Sequence, residues 1–215
     1  MKATLRMIFA KLGLLPLILF IMQKLYILLS KHKWHALERQ GTIWLELGSG
    51  PKKGTNGWTT IDLIGADICY DLRKGIPLPN GCVEKIYTSH MFEHIPYRQL
   101  RDFINECYRV LIKNGELYVC VPNARLYISA YMEGEWFLHS KEDYYEPALV
   151  ETGSLLDQVN YIAYMNGHHN YMFDEQNLIN TLKLAPFSMV KLRSFNQSID
   201  MIERDFESIY AIAVK

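Results

Sequence analysis

Residues 41–50 read G-T-I-W-L-E-L-G-S-G, and this stretch decides the fold. The apolar run 43–47 is too short for a helix, is rich in β-forming residues and leads directly into a glycine turn. It therefore predicts a buried parallel strand. Gly48 and Gly50 lack a Cβ, so their backbone can adopt positive φ and approach a ligand closely. Glu46 places a carboxylate at the carboxyl end of this strand, which is the edge where open α/β sheets bind ligands.

A glycine turn alone is more often only a tight turn, so the following residues carry much of the argument. Residues 59–63 (T-T-I-D-L) predict a second strand with Asp62 near its end. An acid at that position accepts hydrogen bonds from the hydroxyls of a ribose. Residues 68–71 predict a short third strand, and residues 83–89 a fourth.

Six motifs in this order resemble the class I S-adenosylmethionine-dependent methyltransferases, and most of all the small type 11 domains of bacterial surface-polysaccharide synthesis. The resemblance is close over residues 41–123 and loose over 174–215. Its motifs are E-L-G-S-G at 46–50, Asp62, D-L…L-P at 71–79, S-H-M-F-E-H-I at 89–95, E-C-Y-R-V-L-I-K-N-G-E-L at 106–117 and V-P-N at 121–123.

The resemblance implies an α/β fold with a Rossmann-like sheet that is mostly parallel and has an antiparallel last strand. It also implies S-adenosylmethionine as the cofactor. The residues that it implies for binding this donor lie at the ends of successive strands: Glu46, Gly48, Ser49, Gly50, Asp62, Leu63, Asp71, Leu72, Ser89 and His90.

The segment after the glycine turn departs from the family pattern. Family members usually have a third glycine where this chain has Lys52, and only eight residues separate Gly50 from Thr59. A crossover between parallel strands needs about ten residues or more. We therefore expect the first crossover helix to be lost or reduced to a turn, with an N-terminal helix as a candidate to cover that face.

The charge of the chain is balanced overall, with 23 basic and 23 acidic residues, and nothing suggests a surface for nucleic acid. Residues 1–41 nevertheless carry seven basic residues and one acid, whereas the remainder carries 16 basic and 22 acidic residues. This asymmetry suggests a membrane-facing end joined to a soluble domain. The domain prediction is an apolar and basic helical anchor over 1–40 and a methyltransferase domain over 41–215.

The N-terminal segment leaves three alternatives open. Its apolar run is interrupted by Lys24, whereas a spanning helix needs roughly 20 apolar residues. It can lie in the plane of a membrane, span it, or pack on the domain. Residues 1–35 are the predicted membrane contact. The basic cluster at 31–39 favours a cytoplasmic domain, at the inner face of the membrane if residues 1–35 bind there.

The four cysteines show no C-x-x-C spacing, which favours free thiols over a metal site, and no metal is predicted. The sequence gives no indication of the oligomeric state. Helical spacing of apolar residues predicts a helix over 97–112, followed by a strand over 116–121. A helix over 174–184 and two strands over 190–195 and 206–214 complete the prediction.

Residues 124–173 form a long insertion that holds seven of the fourteen tyrosines. Such aromatic residues suit a pocket for a sugar-like substrate, or they pack a small core in a helical lid. The segment also contains His139, His168 and His169. Together with His90, these are the candidate bases or substrate contacts, because imidazole titrates near neutral pH. His94 is the weaker candidate in the same loop as His90.

The predicted activity is methyl transfer from S-adenosylmethionine to a small or glycan-type acceptor, such as a hydroxyl of a sugar or lipid-linked saccharide. The alternative is a non-catalytic partner protein that binds the same donor. A dinucleotide enzyme is disfavoured, because no G-x-G-x-x-G opens a helix here.

Overall fold

A computed structural model describes residues 29–137 and 151–215. Seven strands form one sheet: β1 (Trp44–Leu47), β2 (Trp58–Asp62), β3 (Ile68–Cys69), β4 (Val83–Ser89), β5 (Leu111–Pro122), β6 (Met189–Arg193) and β7 (Ser208–Val214). The helices are α1 (residues 29–38), α2 (Tyr97–Val110), α3 (Ala124–Glu133), α4 (Leu156–Tyr164) and α5 (Glu175–Leu182). Short 3₁₀ turns occupy Leu72–Lys74, Phe92–His94, Met165–Gly167 and Ile202–Glu207.

The strand order is β3-β2-β1-β4-β5-β7-β6. Strands β1 to β5 pair in parallel, and β7 pairs antiparallel with both β5 and β6. The predicted Rossmann-like sheet with an antiparallel last strand is confirmed. The order reverses next to β1, because β2 and β4 leave it on opposite sides, and this places a ligand crevice at the carboxyl ends of these strands.

The core lies between the sheet and the helices on its faces. Leu45, Leu47 and Ile86 of the central strands are fully buried, as expected for parallel strands covered on both sides. Helix α2 presents one apolar face to them, which includes Leu100 and Ile104.

Helix α1 belongs to this core in its described part. Trp34 and Leu37 are 4% and 3% exposed, and the Trp34 ring packs edge-on against Tyr70 at 5.6 Å between centroids. Residues 29–38 therefore pack on the domain. The run from Leu12 to Met22 lies outside the described residues, and within 29–137 and 151–215 no helix is long and apolar enough to cross a bilayer.

The first crossover contains no helix, as predicted: residues 48–57, all of them described, connect β1 to β2 as a loop. One carboxylate organises this loop. Oδ2 of Asp67 accepts hydrogen bonds from the backbone N–H of Gly54 at 2.8 Å and of Thr60 at 3.1 Å. The hydroxyl of Thr60 lies 3.0 Å from the same oxygen and 2.9 Å from the carbonyl of Lys52, and its single proton can be donated to either acceptor. Burial opposes ionisation, but these hydrogen bonds and nearby Lys53 outweigh it and lower the pKa of Asp67.

The junction of α2 and β5 differs from the prediction. The helix ends at Val110 rather than at residue 112, because Leu111 already pairs with Val83 of β4. The pairing then shifts and resumes at Glu116, and Asn114 adopts a positive φ of 62° at the bend. Residues 113–115, which the prediction leaves between the helix and the strand, thus form a bend within β5.

The described part of the insertion forms helices α3 and α4 with a small core of their own. Tyr127 and Tyr161 are 0% and 1% exposed and pack with Ile162 and Met165. These two tyrosines therefore pack a small core within the insertion, which is the second of the two roles predicted for its aromatic residues. Residues 138–150, which include His139, lie outside the described residues. Helix α5 begins after Asp174, whose side chain accepts from the backbone N–H of Asn177.

Candidate active site

A cavity of about 820 Å³ opens at the carboxyl ends of β1, β2 and β4, where the topology predicts a ligand. Its walls come from the turn after β1, the end of β2, the turn after β3, the loop after β4, one side of α2 and the segment before β7, together with Met165 of the insertion. All ten residues implied for donor binding line it: Glu46, Gly48, Ser49, Gly50, Asp62, Leu63, Asp71, Leu72, Ser89 and His90.

The glycine turn and Asp62 are joined directly. The N–H of Gly50 donates to Oδ2 of Asp62 at 2.8 Å, and the N–H of Leu63 donates to Oδ1 at 2.6 Å. The N–H of Gly48 donates to the carbonyl of Ile61 at 2.8 Å. Each carboxylate oxygen has two lone pairs, so Asp62 retains one on each side for the hydroxyls of a ribose.

Both glycines are required, for different reasons. Their φ angles are +71° at Gly48 and +69° at Gly50, a region that costs other residues energy. A Cβ on Gly50 would meet nothing within 4 Å, so the space beside it is open to a ligand. A Cβ on Gly48 would lie 2.5 Å from Cγ of Met91, so that space is already filled. The turn thus offers the donor a bare backbone at Gly50.

Lys52, which stands in place of the usual third glycine, pairs with Glu46. Their Nζ and Oε1 atoms are 2.6 Å apart, and the Glu46 side chain is only 12% exposed. The pair neutralises the carboxylate that the glycine motif brings to the cavity. Lys52 remains 42% exposed at the cavity wall, where its ammonium can also contact an anionic ligand group.

Asp71 is occupied by Arg73. Its carboxylate accepts from Nε of Arg73 at 2.8 Å and from Nη2 at 3.1 Å, and it caps the turn through the backbone N–H of Arg73. The hydrogen bonds from the guanidinium lower the pKa of Asp71 below its usual value. An adenine amino group that binds Asp71 therefore has to share its carboxylate with Arg73.

His90 connects the loop after β4 to β7. Its Nε2 lies 2.8 Å from the hydroxyl of Ser208, and that hydroxyl donates to the carbonyl of Arg204 at 2.6 Å. Since the hydroxyl proton is used, Nε2 of His90 is the donor of the first bond. Burial, with Arg204, His169 and His94 nearby, lowers the pKa of His90 well below its usual value. The ring is therefore neutral at working pH and held in one orientation.

The same loop continues into Glu93 and His94, which meet His169 of the insertion. Oε1 of Glu93 is 3.7 Å from Nε2 of His94, and the two imidazole rings pack at 5.0 Å between centroids. Glu93 is 1% exposed, and burial raises its pKa to about 8. Burial also lowers the pKa of His169 to about 4. Glu93 and His94 line the cavity, whereas His169 lies behind them.

The other candidates from the sequence lie elsewhere. The side chain of His168 is exposed and is not part of the cavity wall, although its carbonyl accepts from Nδ1 of His94 at 3.0 Å. Of the insertion's tyrosines that the structure describes, none lines the cavity, whereas Met165 does.

Several cavity residues were not predicted from the sequence. The 3₁₀ turn Ile202–Glu207 and Met201 before it supply one wall, with the apolar side chains of Met201 and Phe206 and the charged side chains of Glu203, Arg204 and Glu207. The sequence predicts residues 196–205 as a polar connection and residues 206–214 as a strand, whereas β7 begins only at Ser208 and residues 206 and 207 belong to the turn. No local pattern shows that this connection folds over the sheet edge.

The family comparison agrees with this geometry. Residues 45–119 match a protein family described as a methyltransferase domain, and the match runs from β1 into β5. Over these residues the chain is similar to a methyltransferase domain. Its activity is methyl transfer, and its methyl donor is S-adenosylmethionine. The open space at Gly50 and the remaining lone pairs of Asp62 fit that donor.

Solved structures resemble the chain at low sequence identity. A S-adenosylmethionine-dependent methyltransferase from Archaeoglobus fulgidus is 14% identical, with 88% of this chain and 94% of that chain covered and a TM-score of 0.49. A possible histamine N-methyltransferase from Thermotoga maritima is 13% identical, with coverage of 91% and 92% and a TM-score of 0.48. A methyltransferase from Mesorhizobium loti is 14% identical, with coverage of 85% and 97% and a TM-score of 0.47. No curated protein sequence matches the chain.

Proposed function

We propose that this methyltransferase acts on a hydroxyl of a sugar or lipid-linked saccharide. One observation carries the proposal: the cavity extends past the Gly50–Asp62 contact to a second end formed by the loop after β4 and the turn before β7. A cavity of about 820 Å³ is at the larger end of small-molecule sites, which leaves room for an acceptor beside the donor.

The donor end is built from backbone and carboxylates. S-adenosylmethionine, when bound, supplies a methyl carbon that its positive sulfur activates for displacement. Gly50 presents bare backbone to the donor, Asp62 accepts from its ribose hydroxyls, and the segment at Asp71 and Leu72 borders its adenine. Positioning of the acceptor at attack distance can by itself contribute roughly 7–11 kcal/mol to such a transfer.

The acceptor end has the mixed character that saccharides require. Glu203 and Arg204 offer hydrogen-bonding groups, while Met201 and Phe206 offer apolar surface for the carbon faces of a sugar ring. As the new oxygen–carbon bond forms, the acceptor hydroxyl loses its proton. His90, His168 and His169 are the histidines predicted for this or for substrate contact, and only His90 lines the cavity. Because its Nε2 is engaged by Ser208, a base role for His90 falls to Nδ1.

The N-terminal segment supports a lipid-linked acceptor. Residues 1–41 carry a net charge of +6 and a long apolar run, and both features suit contact with an anionic membrane surface. We propose that residues 1–35 bring the domain to the inner face of the membrane through the part that precedes α1, because Trp34 of α1 is buried in the domain. The balanced charge of the chain argues against nucleic acid as the acceptor.

The test supplies the full chain with methyl-labelled S-adenosylmethionine and a panel of acceptors: nucleotide sugars, lipid-linked saccharides, an amine-containing metabolite mixture and transfer RNA. We expect label in a saccharide fraction, with mass spectrometry showing one added methyl group on oxygen. Label on nitrogen, or only in the RNA or amine fractions, would contradict the proposed acceptor.

A second candidate is a non-catalytic partner that binds the donor. The pairing of Lys52 with Glu46 and the loss of the crossover helix favour it, because both alter the donor turn. It predicts saturable donor binding by calorimetry without turnover on any acceptor. Turnover by the wild-type chain excludes this candidate.

A further inference from the structure

We propose that Glu93, His94 and His169 form a binding site for one divalent transition-metal ion in the wall of the cavity. The sequence predicts no metal site, because its cysteines lack a metal-binding spacing and its adjacent histidines 168 and 169 cannot easily face one ion. The fold instead combines His169 with a Glu-His pair that lies some 75 residues earlier in the chain.

The geometry has the donor set of a metal site. One ligand atom from each of the three side chains lies within 4.8 Å of the other two. Ligand atoms that bind one ion at about 2.0–2.2 Å are roughly 3–3.5 Å apart from one another. Side-chain rotations that move each ligand atom by about an ångström would therefore bring the three atoms to that spacing. Oε1 of Glu93 and Nε2 of His94 are already 3.7 Å apart.

Both imidazoles are held in the orientation that metal binding requires. Nδ1 of His94 lies 3.0 Å from the carbonyl of His168, and Nδ1 of His169 lies 2.7 Å from the carbonyl of Ile162. A carbonyl only accepts, so each Nδ1 carries the proton and each Nε2 presents its lone pair. Metal-binding histidines commonly donate their other N–H to a backbone carbonyl in this way.

Three buried atoms of the cluster make no hydrogen bond within the described residues. Both carboxylate oxygens of Glu93 and Nε2 of His169 are buried there without a hydrogen bond, in side chains of residues that are 1% and 6% exposed. A buried polar group without a partner costs roughly 1–3 kcal/mol, so three such atoms around one point indicate a ligand. A cation satisfies all three at once, because Glu93 releases its proton when the cation binds and all three atoms are then acceptors.

The ligand types indicate which ions the site selects. Two imidazoles and one carboxylate suit Zn²⁺, Mn²⁺, Fe²⁺, Co²⁺ or Ni²⁺, whereas Mg²⁺ and Ca²⁺ prefer sites made of oxygen ligands. Arg204 lies close enough to Glu93 to oppose a cation, and Glu207 offsets that charge. Because Glu93 and His94 line the cavity, an open coordination position would face the acceptor. A role of the ion in holding an acceptor oxygen rests on the proposed function. The binding of the ion itself does not depend on that function.

The test uses the tag-free full chain, stripped with a chelator and titrated by calorimetry with Zn²⁺, Mn²⁺ and Mg²⁺. We expect one equivalent of Zn²⁺ to bind, and Mg²⁺ to bind much more weakly. Loading with Co²⁺ should give a visible absorption band from nitrogen and oxygen ligands. Glu93→Gln, His94→Gln and His169→Gln should each weaken Zn²⁺ binding by roughly 100-fold or more.

His168→Gln is the matched control, because it removes the neighbouring exposed imidazole and keeps the carbonyl that orients His94. It should retain the full affinity. The His94 side chain is 38% exposed, so His94→Gln tests the site even where the buried variants fail to fold. Absence of stoichiometric binding, or binding that survives both Glu93→Gln and His94→Gln, would overturn the inference. Donor binding, measured on the same samples, reports separately on the proposed function.

Discussion

The backbone N–H of Gly50 donates a 2.8 Å hydrogen bond to Oδ2 of Asp62, which ties the glycine turn after the first strand to the acid that ends the second. The contact fixes the width of the donor site, because the two groups come from neighbouring parallel strands. It also means that Asp62 serves two purposes: it holds the turn, and its remaining lone pairs face the cavity.

Asp62→Asn should weaken binding of S-adenosylmethionine about 10- to 100-fold, since hydrogen bonds to a charged group contribute roughly 1.5–3 kcal/mol. Isothermal titration calorimetry measures the affinity. Glu133→Gln, which changes an exposed acid at the end of α3, is the control and should bind normally. An Asp62 variant with unchanged affinity would show that the donor does not contact this carboxylate.

The two glycines should respond differently to alanine. Gly50→Ala places a methyl group in open cavity space, so we expect a loss of donor affinity with a stability cost of about 1–2 kcal/mol from its positive φ. Gly48→Ala adds a clash with Met91 and should be less stable still. Chemical denaturation of both single variants and of the Gly48→Ala/Met91→Ala double variant tests this. If the second substitution restores no stability to Gly48→Ala, the clash is not the cause.

Asp67→Asn should destabilise the fold by about 1–3 kcal/mol, because it weakens the hydrogen bonds that hold the helix-free crossover. The pKa of Asp67 is lowered in the folded state, so its contribution is present above the ordinary value near 4 and is lost as the pH falls through the lower folded value. The stability gap between wild type and variant, from urea denaturation, should therefore narrow from pH 7 towards pH 3. Glu133→Gln, which changes an exposed acid outside this loop, is the control and should keep the wild-type stability, whereas a gap that does not change with pH would contradict this account.

Trp34→Ala should cost about 3–5 kcal/mol, the usual range for removing a buried aromatic side chain, because α1 packs into the main core. His35→Ala, whose side chain is 73% exposed on the same helix, should change stability by less than about 0.5 kcal/mol. Urea denaturation of the full chain separates the two variants. Equal stability of both would mean that α1 is a detachable segment rather than part of the domain.

The sheet could be predicted because its signals are local. A short apolar run before Gly48 and an acid at Asp62 are visible within twenty residues, and the resemblance supplies the mostly parallel sheet with its antiparallel last strand. The absence of a helix from the first crossover was predictable because only eight residues separate Gly50 from Thr59. The end of α2 was placed two residues too late, because the apolar spacing continues through residue 112 while Leu111 is already paired with Val83.

The acceptor end of the cavity could not be predicted in the same way. Arg204 reaches the carbonyl of Ser89 at 3.4 Å across 115 residues of sequence, and His169 meets Glu93 across the insertion. Such contacts depend on how loops fold over the sheet edge, and a single sequence has no periodicity that reports it. The tyrosines of the insertion were conspicuous in composition, yet Tyr127 and Tyr161 fill a separate core.

The absence of a helix in the first crossover has a consequence for how the donor enters. Residues 51–57 lack the repeating backbone hydrogen bonds that a helix provides. The backbone N–H of Gly54 donates its hydrogen bond to one side chain, Asp67. Their amides should therefore exchange with deuterium far faster than those of β1 and β2 on either side, and slow markedly once the donor is bound. Donor capture in this protein would then be accompanied by tightening of a loop that other members of its fold class build as a fixed helix.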